Sequence, residues 1–405
     1  MTEHKNTPEL RFPEFKEEWK FQKLGNLAQF SKGKSLSKKD LNINGNPCIL
    51  YGELYTKYGA ILNKVYSKTS TQNDSLVFSK RNQILIPSSG ETDIDIATAT
   101  AIDTDVKIAI GGDLNIITPI NSDGRFISLY INGKGKYNLA KYAQGKSVVH
   151  LYNSDIKKLN FYLPTNMVEQ KKIGNFFSKL DRQIELEEEK LELLEQQKRG
   201  YIQKFFSQEL RFKDANGNSY PDWSIKKIED ISKVNKGFTP NTKNDEYWDE
   251  LNENWLSIAG MTQKYLYKGN KGITKKAASK HAKVDKDTLI MSFKLTLGKL
   301  AIVKEPIYTN EAICHFVWKE SNVNTEYMYY YLNSINISTF GAQAVKGVTL
   351  NNDSINSIIV KLPVIQEQNK IAYFFNKLDK LIEKQSSKVE LLKQRKQGLL
   401  QKMFV

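Results

Sequence analysis

The sequence predicts an α+β protein: two mixed α/β domains joined by two long helices that form an antiparallel coiled coil, arranged as a pseudo-twofold internal repeat. Three observations predict it. GNFFSKLDRQIELEEEKLELLEQQKRGYIQKFF (174–206) returns as AYFFNKLDKLIEKQSSKVELLKQRKQGLLQKMF (372–404) at a constant offset and without a gap. Both copies space their apolar residues by alternating steps of four and three, as a coiled-coil helix does. Residues 20–163 and 224–362 instead alternate short β-rich runs with Gly/Ser/Asn/Lys loops, as small sheet domains do.

The helices come first, because the repeat dictates them. The seam of the first copy holds Ile173, Phe177, Leu180, Ile184, Leu191 and Leu194. The second holds Ile371, Phe375, Leu378, Ile382, Val389 and Leu392. Even the polar interruptions coincide, Glu187 with Gln385 and Lys198 with Lys396. The first helix is rich in Glu between 185 and 195, and the second in Lys and Arg between 377 and 396. Opposite charge favours pairing of the two with each other. Two equivalent halves are most simply related by a twofold, which runs the helices antiparallel. An axis near Glu192 and Glu390 would set Glu187 opposite Lys396. A helix of about 40 residues is about 60 Å long. The expected division is a first domain at 1–163 including a frame segment at 1–20, a central helix at 164–207, a second domain at 208–362 and a C-terminal helix at 363–405.

Further frame segments repeat in the same order. PELRFPEFKEEWKFQKLGN (8–26) is echoed by QELRFKDANGNSYPDWSIKKIED (208–230), aligning Leu10-Arg11-Phe12 with Leu210-Arg211-Phe212 and Trp19 with Trp223. SVVHLYNSDIKKLNFYLP (147–164) is echoed by GVTLNNDSINSIIVKLP (347–363), and each runs on into Glu-Gln, at Glu169-Gln170 and Glu367-Gln368. Residues 31–140 and 235–340 show no match. Strands are expected at CILYG, QILIPSS, KIAIGG and NIITP in the first domain and at TLIMSF, LAIVKE and CHFVWKE in the second, with a helix at TEYMYYYLNSI (325–335).

Charge narrows the partner. Sixty Lys and Arg against 45 Asp and Glu leave a formal charge of +15, spread along the chain. Such a surface favours a polyanion. Two distant cysteines, Cys48 and Cys314, exclude a disulfide scaffold and fit a reducing cytoplasm. Neither a signal peptide nor an apolar membrane span is present in the sequence.

Loops in both inserts carry the side chains that bind nucleic acid: Lys for phosphates, and hydroxyl, amide and imidazole groups for base edges. Candidates chosen on that chemistry are Lys34, Tyr51, Ser89, Thr92, Lys146 and His150 in the first domain. Those in the second are Lys236, Thr239, Asn241, Lys294 and Lys346. Enzymatic patterns fail one by one. Gly145-Lys146-Ser147 and Gly33-Lys34-Ser35 lack the upstream glycine of a phosphate loop, having Ala140 and Ala28 there. Asn46-Pro47-Cys48-Ile49 lacks the second proline and the aromatic residue of an amino-methyltransferase motif. His4, His150, His281 and His315 have no metal spacing. Glu91, Asp93 and Asp95 lack a following Glu-x-Lys. No catalytic residue and no metal ligand is assigned.

Together these features resemble the specificity subunit of a type I restriction-modification system. The carriers are the duplicated frame, Leu-Pro…Glu-Gln-x-Lys-Ile-x-x-Phe-Phe-x-Lys-Leu-Asp before each helix (163–181, 362–379), and Leu-Leu-x-Gln-x-Lys-x-Gly near its close. The Trp19 and Trp223 segments, and Gly237-Phe-Thr-Pro240 followed by Tyr247-Trp248, add to them. The resemblance implies a non-catalytic subunit whose two domains each recognise half of a split, asymmetric site on double-stranded DNA. The paired helices would set the spacing. Two methyltransferase subunits would dock on the frame and methylate adenine, and motor-nuclease subunits would join for restriction. The chain itself would hold no cofactor; S-adenosylmethionine, ATP and Mg are expected on those partners. The resemblance also implies a circular frame, in which residues 1–20 supply the Leu-Arg-Phe…Trp segment that would follow the second helix. Two other readings of the residues stay open here: a stand-alone pseudo-dimeric DNA-binding regulator, and a coiled-coil scaffold whose inserts bind proteins.

Overall fold

The structure, a computed structural model, describes residues 6–34, 36–71, 75–344 and 347–405. The chain forms two compact units, residues 1–190 with 385–405 (unit 1) and residues 191–384 (unit 2).

In unit 1, β1 (Ala28–Lys32), β2 (Ile61–Leu62), β3 (Ile84–Pro87), β4 (Thr100–Ile102) and β5 (Leu114–Pro119) form one sheet in the order β1-β5-β3-β4-β2. Only the β2–β4 pair is parallel. β3 and β4 are buried along their whole length, and apart from Thr100 both are apolar throughout. Helix α1 (Gly124–Asn132) starts at Asp123, whose carboxylate accepts from the amides of Arg125 and Phe126. This helix went unread in the sequence. Helix α2 (Met167–Phe206) follows.

Unit 2 repeats the plan. β6 (Ser232–Lys236), β7 (Tyr265–Leu266), β8 (Leu289–Ser292), β9 (Leu300–Val303) and β10 (Ile313–Trp318) pair in the order β6-β10-β8-β9-β7, again with one parallel pair, β7–β9. Helix α3 (Thr325–Ser334) and helix α4 (Ile365–Lys402) complete it. The inserts that show no sequence match therefore share one topology. Any β-branched or aromatic run satisfies a short central strand, so the strand order outlasts the residues that make it.

The repeated frame residues meet. Arg11 donates from Nε and Nη2 to the Glu169 carboxylate at 2.7 and 2.8 Å, and Trp19 Nε1 adds a third bond at 3.2 Å. Arg211 and Trp223 do the same to Glu367 at 3.1, 2.7 and 3.0 Å. Both carboxylates are buried, which is tolerable only because each is paired and bonded. The adjoining glutamines tie helix to helix: Gln170 Oε1 accepts from the Asp123 amide and Gln368 Oε1 from the Asn324 amide. In unit 2 the Leu210 amide donates to the Lys204 carbonyl at 3.0 Å. In unit 1 the Leu10 amide makes the equivalent bond to Lys402 at 2.9 Å.

The apolar cores are equivalent too. Trp19, Phe126, Phe177 and Phe404 cluster in unit 1, with Phe126 and Phe404 centroids 5.0 Å apart. Phe205, Phe206, Trp223, Tyr327 and Phe375 cluster in unit 2.

Two expectations need correction. The strand expected at CILYG stops at Ile49, and a short helix, Tyr51–Thr56, begins instead. Glu53 closes that helix start by accepting the Leu50 amide at 3.0 Å. Second, the helices do pair antiparallel, but not in the expected register. Glu187 accepts from Gln385 Nε2 at 2.7 Å and from Lys388 Nζ at 2.5 Å, while Lys396 pairs with Asp181 at 2.5 Å. The repeat counterpart of that last pair is Lys198–Asp379, at 2.6 Å. Glu187 therefore does not face Lys396. Phe206 and Phe404, at or just beyond the helix ends, are buried in this register, whereas the heptad pattern alone gives a period and no phase.

Along the seam Ile173, Phe177, Leu180, Ile184, Ile371, Phe375 and Val389 are buried, and Leu191, Leu194, Leu378, Ile382 and Leu392 half-buried. Among the described residues no helix is long and apolar enough to cross a membrane.

Candidate nucleic-acid interface

Strand register gathers the candidate loops at one sheet edge. In unit 1, Lys32 pairs with Asn115 and Pro87 with Leu114, so β1 ends, β3 ends and β5 begins at the same edge. Three segments leave from it: Gly33-Lys34, Ser88-Ser89-Gly90 and Gly111–Asp113. Gly33 is required here, since a Cβ would stand 2.0 Å from the Gly111 carbonyl oxygen. The Lys34 amide donates to the Ile110 carbonyl at 3.2 Å, leaving its side chain exposed.

A hairpin projects from this edge. Gln144 and His150 exchange backbone bonds of 2.9 and 2.7 Å, and Val149-His150 pairs with Ser89-Gly90. The turn needs the positive φ of Gly145 (122°), where a Cβ would also strike the Val148 carbonyl. Lys146 is exposed at the tip. His150 Nδ1 lies 3.4 Å from Ser89 Oγ, and its ring stacks on Tyr152. Lys32 stands over the Tyr152 ring at 5.8 Å.

Thr92 caps the short helix Asp93–Ile96, accepting the Asp95 amide and donating to the Asp95 carboxylate at 2.7 Å. The acidic cluster noted at Glu91, Asp93 and Asp95 is thus partly a helix cap. Tyr51 opens its own helix beside Gly111–Asp113, in a cavity that Leu36, Leu50 and Lys38 also line.

Unit 2 builds the same edge, with Lys236 opposite Cys314 and Ser292 opposite Ile313. Gly237 takes the place of Gly33; a Cβ there would stand 2.0 Å from the Thr309 carbonyl. Lys236 stands 4.5 Å over the Phe293 ring, and exposed Lys294 follows it. Thr239 Oγ1 accepts from Asn310 Nδ2 at 2.8 Å. Asn241 Oδ1 accepts the Lys243 amide, and its carbonyl the Trp248 indole. Lys346 lies outside the described residues. Lys34, Tyr51, Ser89, Lys146 and His150 therefore lie at one edge and Lys236, Thr239 and Lys294 at its counterpart, while Thr92 and Asn241 stand farther along the loops that leave these edges. The sequence reading passed over Lys32 and Tyr152, and over Phe238, which stacks on His281 at 3.5 Å. A lysine closing a strand just before the required glycine was the available signal.

Burial holds both cysteines and His315 neutral. Burial pushes the Cys48 thiol up to about 11, with Glu53 adding to it, and the Cys314 thiol up to about 12. Burial pushes His315 down to about 4. Among the described residues no acid, His and Cys cluster could hold a metal. The edge offers cationic and hydrogen-bonding contacts.

Comparison with known proteins identifies the family. A family model of the type I restriction modification DNA specificity domain matches residues 16–196 and again 220–392. The type I restriction enzyme MjaIX specificity subunit of Methanocaldococcus jannaschii is 30% identical over 209 residues, or 49% of this chain and 48% of the relative. The chain thus spans about half the length of that curated relative. The MjaVIII specificity subunit of the same organism is 22% identical, over 96% of this chain and 93% of the relative. Among solved structures, the S subunit of a type I restriction-modification system from M. genitalium has a TM-score of 0.62 at 17% identity, covering 98% of this chain and 99% of that one. A chain from a structure on assembly and conformational transition of the type I R-M system has a TM-score of 0.56 at 12% identity, covering 94% and 96%. With the family model matched twice, along most of its length, this chain belongs to the type I restriction-modification DNA specificity subunits.

Proposed function

We propose that this chain is the non-catalytic reader of a cytoplasmic type I restriction-modification complex. Each variable domain, within 1–163 and 208–362, recognises one half of a split asymmetric site on double-stranded DNA. The observation that carries this is the equivalent sheet edge in both units, furnished with different loops. Equivalent placement suits two readers of one duplex, and different side chains suit two different half-sites. Lys34, Lys146, Lys236, Lys294 and Lys346 would hold phosphates; Ser89, Thr92, His150, Thr239 and Asn241 would meet base edges, and Tyr51 offers an aromatic face. The paired helices would set the spacing: half-sites one turn apart need about 34–36 Å, and a helix of 40 residues is about 60 Å long. The frame would dock two methyltransferase subunits that methylate adenine and bring S-adenosylmethionine, with motor-nuclease subunits bringing ATP and Mg.

Methylome sequencing of cells expressing the chain with its methyltransferase tests this. Exchange of residues 20–163 for those of a relative should change one half of the methylated motif and leave the other. A change in both halves, or in neither, would overturn the two-reader function. Within the first domain, Lys146→Ala should weaken binding to all duplexes alike and lower the salt slope by about one. His150→Ala should cost about 1–3 kcal/mol of discrimination at one base position.

A further inference from the structure

The Asp that closes each Phe-Phe-x-Lys-Leu-Asp meets a lysine of the other long helix, Asp181 with Lys396 and Asp379 with Lys198. Asp379 is also gripped from the side of its own sheet domain. Lys264, at the foot of β7, places its ammonium 3.7 Å from Asp379, 2.6 Å from Glu326 and 2.8 Å from the Tyr330 hydroxyl. It also bonds to Asn376 on α4. Tyr330, on α3, donates to the Asp379 carboxylate at 2.5 Å. Tyr265 donates to Glu326 at 2.8 Å. Lys264 is only 12% exposed, and burial lowers its pKa against the opposing pull of Glu326 and Asp379.

Among the described residues, unit 1 has neither a lysine nor a tyrosine at the equivalent places. The bonded helix caps Asp123 and Asn324 align α1 with α3, which sets Leu129 where Tyr330 stands. The Ala60 carbonyl accepts from Ala101 as that of Lys264 accepts from Ile302, which sets Ala60 where Lys264 stands. Leu129 and Ala60 belong to one apolar cluster with Ile173, Phe177 and Leu180. Arg125, at the place of Glu326, bonds Asn175 one turn earlier.

We infer that Lys264, Tyr330 and Asp379 form a polar latch fixing the angle at which the second sheet domain sits on α4, and so act as positioning residues for its half-site. This rests on the DNA-reader function proposed above. Apolar contact is non-directional, so packed faces can shift past each other at small cost. Buried charges and hydroxyls are satisfied in one geometry only. The latch removes that freedom from unit 2 at the places where unit 1 has Leu129 and Ala60.

The test uses the full chain with its methyltransferase and a pool of duplexes of random central sequence. Wild-type protein should recover one two-part motif with one gap length. Lys264→Met and Tyr330→Phe should keep the first half-motif but recover a second gap length, one base pair away. Lys264→Arg should keep the single gap, an outcome that a role limited to general stability does not require. In the absence of DNA, Lys264→Met should speed amide exchange in Thr325–Ser334 on the order of tenfold, leaving Gly124–Asn132 unchanged. A single gap retained by both Lys264→Met and Tyr330→Phe, or exchange raised equally in both helices, overturns the latch. If wild-type protein recovers no two-part motif while faster exchange stays confined to α3, the DNA-reader function falls and the latch stands.

Discussion

In unit 1 the start of α2 shares a wholly apolar cluster with Leu129 and Ala60, whereas in unit 2 the start of α4 is met by Tyr330 and Lys264. A few residues earlier the units are alike: Arg and Trp close on a buried Glu in both. The contrast shows which interactions a duplicated frame must keep. The Glu169 and Glu367 clasps tie a distant segment to a helix start, and an unpaired buried carboxylate would be costly. The faces beneath tolerate two solutions, because an apolar contact and a satisfied polar network can both fill the same space.

The largest effect should therefore be the one the units share. Glu169→Ala and Glu367→Ala each unpair an indole N–H and leave a partly exposed guanidinium bonded to a backbone carbonyl, and each should cost about 2–3 kcal/mol in its own unit. Hydrogen exchange of the buried turns Phe126–Ile131 and Tyr327–Leu332 reads the two losses separately. A cost below about 1 kcal/mol in either unit would show that the clasp is not needed there.

A smaller and unequal effect should follow from removing one hydroxyl. Tyr330 bonds Asp379 and Lys264, so Tyr330→Phe should cost about 1–2 kcal/mol. Tyr130 meets two neutral groups, the Asn160 carbonyl at a long 3.4 Å and the Asn138 side chain, so Tyr130→Phe should cost less, about 0.5–1 kcal/mol. Equal costs would erase the distinction between the polar and the apolar solution. Denaturant unfolding of the two variants, with exchange in α1 and α3 as the local readout, decides it.

What the sequence made legible follows the same division. The duplicated frame was legible because its residues contact one another at fixed offsets: Arg11 and Glu169, Arg211 and Glu367, and the two heptad seams. The register was not, because a heptad pattern gives a period and no phase. The phase observed is one in which the ends, Phe206 and Phe404, are buried in cores built by residues far away in sequence. Lys264 was equally hidden. It lies in QKYLYK, where alternation reads as an exposed charge, and is buried only because Tyr330 and Asp379 arrive from other elements. The common strand order of the inserts left no trace, since short strands ask only for β-branched or aromatic residues. The candidate edge was half legible: its loops were recognisable by composition, but only strand register shows that Ser89 and His150 are neighbours.

The finest contrast lies on one helix, between Asp181 and Glu187. Burial raises the Asp181 pKa above its ordinary 3.8, with Lys396 pulling the other way. Bonds from Gln385 and Lys388 hold Glu187 below its ordinary 4.5. The signs of their linkage to folding are opposite. The folded chain holds the Asp181 proton more tightly than the unfolded chain does. Its contribution therefore falls as pH rises from about 3.8 through the raised folded value, and returns on acidification. Glu187 contributes above 4.5 and loses that contribution as pH falls through its lowered folded value. Carboxyl carbon shifts followed by NMR should place the Asp181 midpoint above 3.8 and the Glu187 midpoint below 4.5. Lys388→Ala should move only Glu187, part of the way back to its ordinary value. An Asp181 midpoint below 3.8 would mean that the pull of Lys396 outweighs burial. The Asp181–Lys396 pair would then hold the helices together by net attraction, and unit 1 would rely on charge at its helix pair as unit 2 does beneath its sheet.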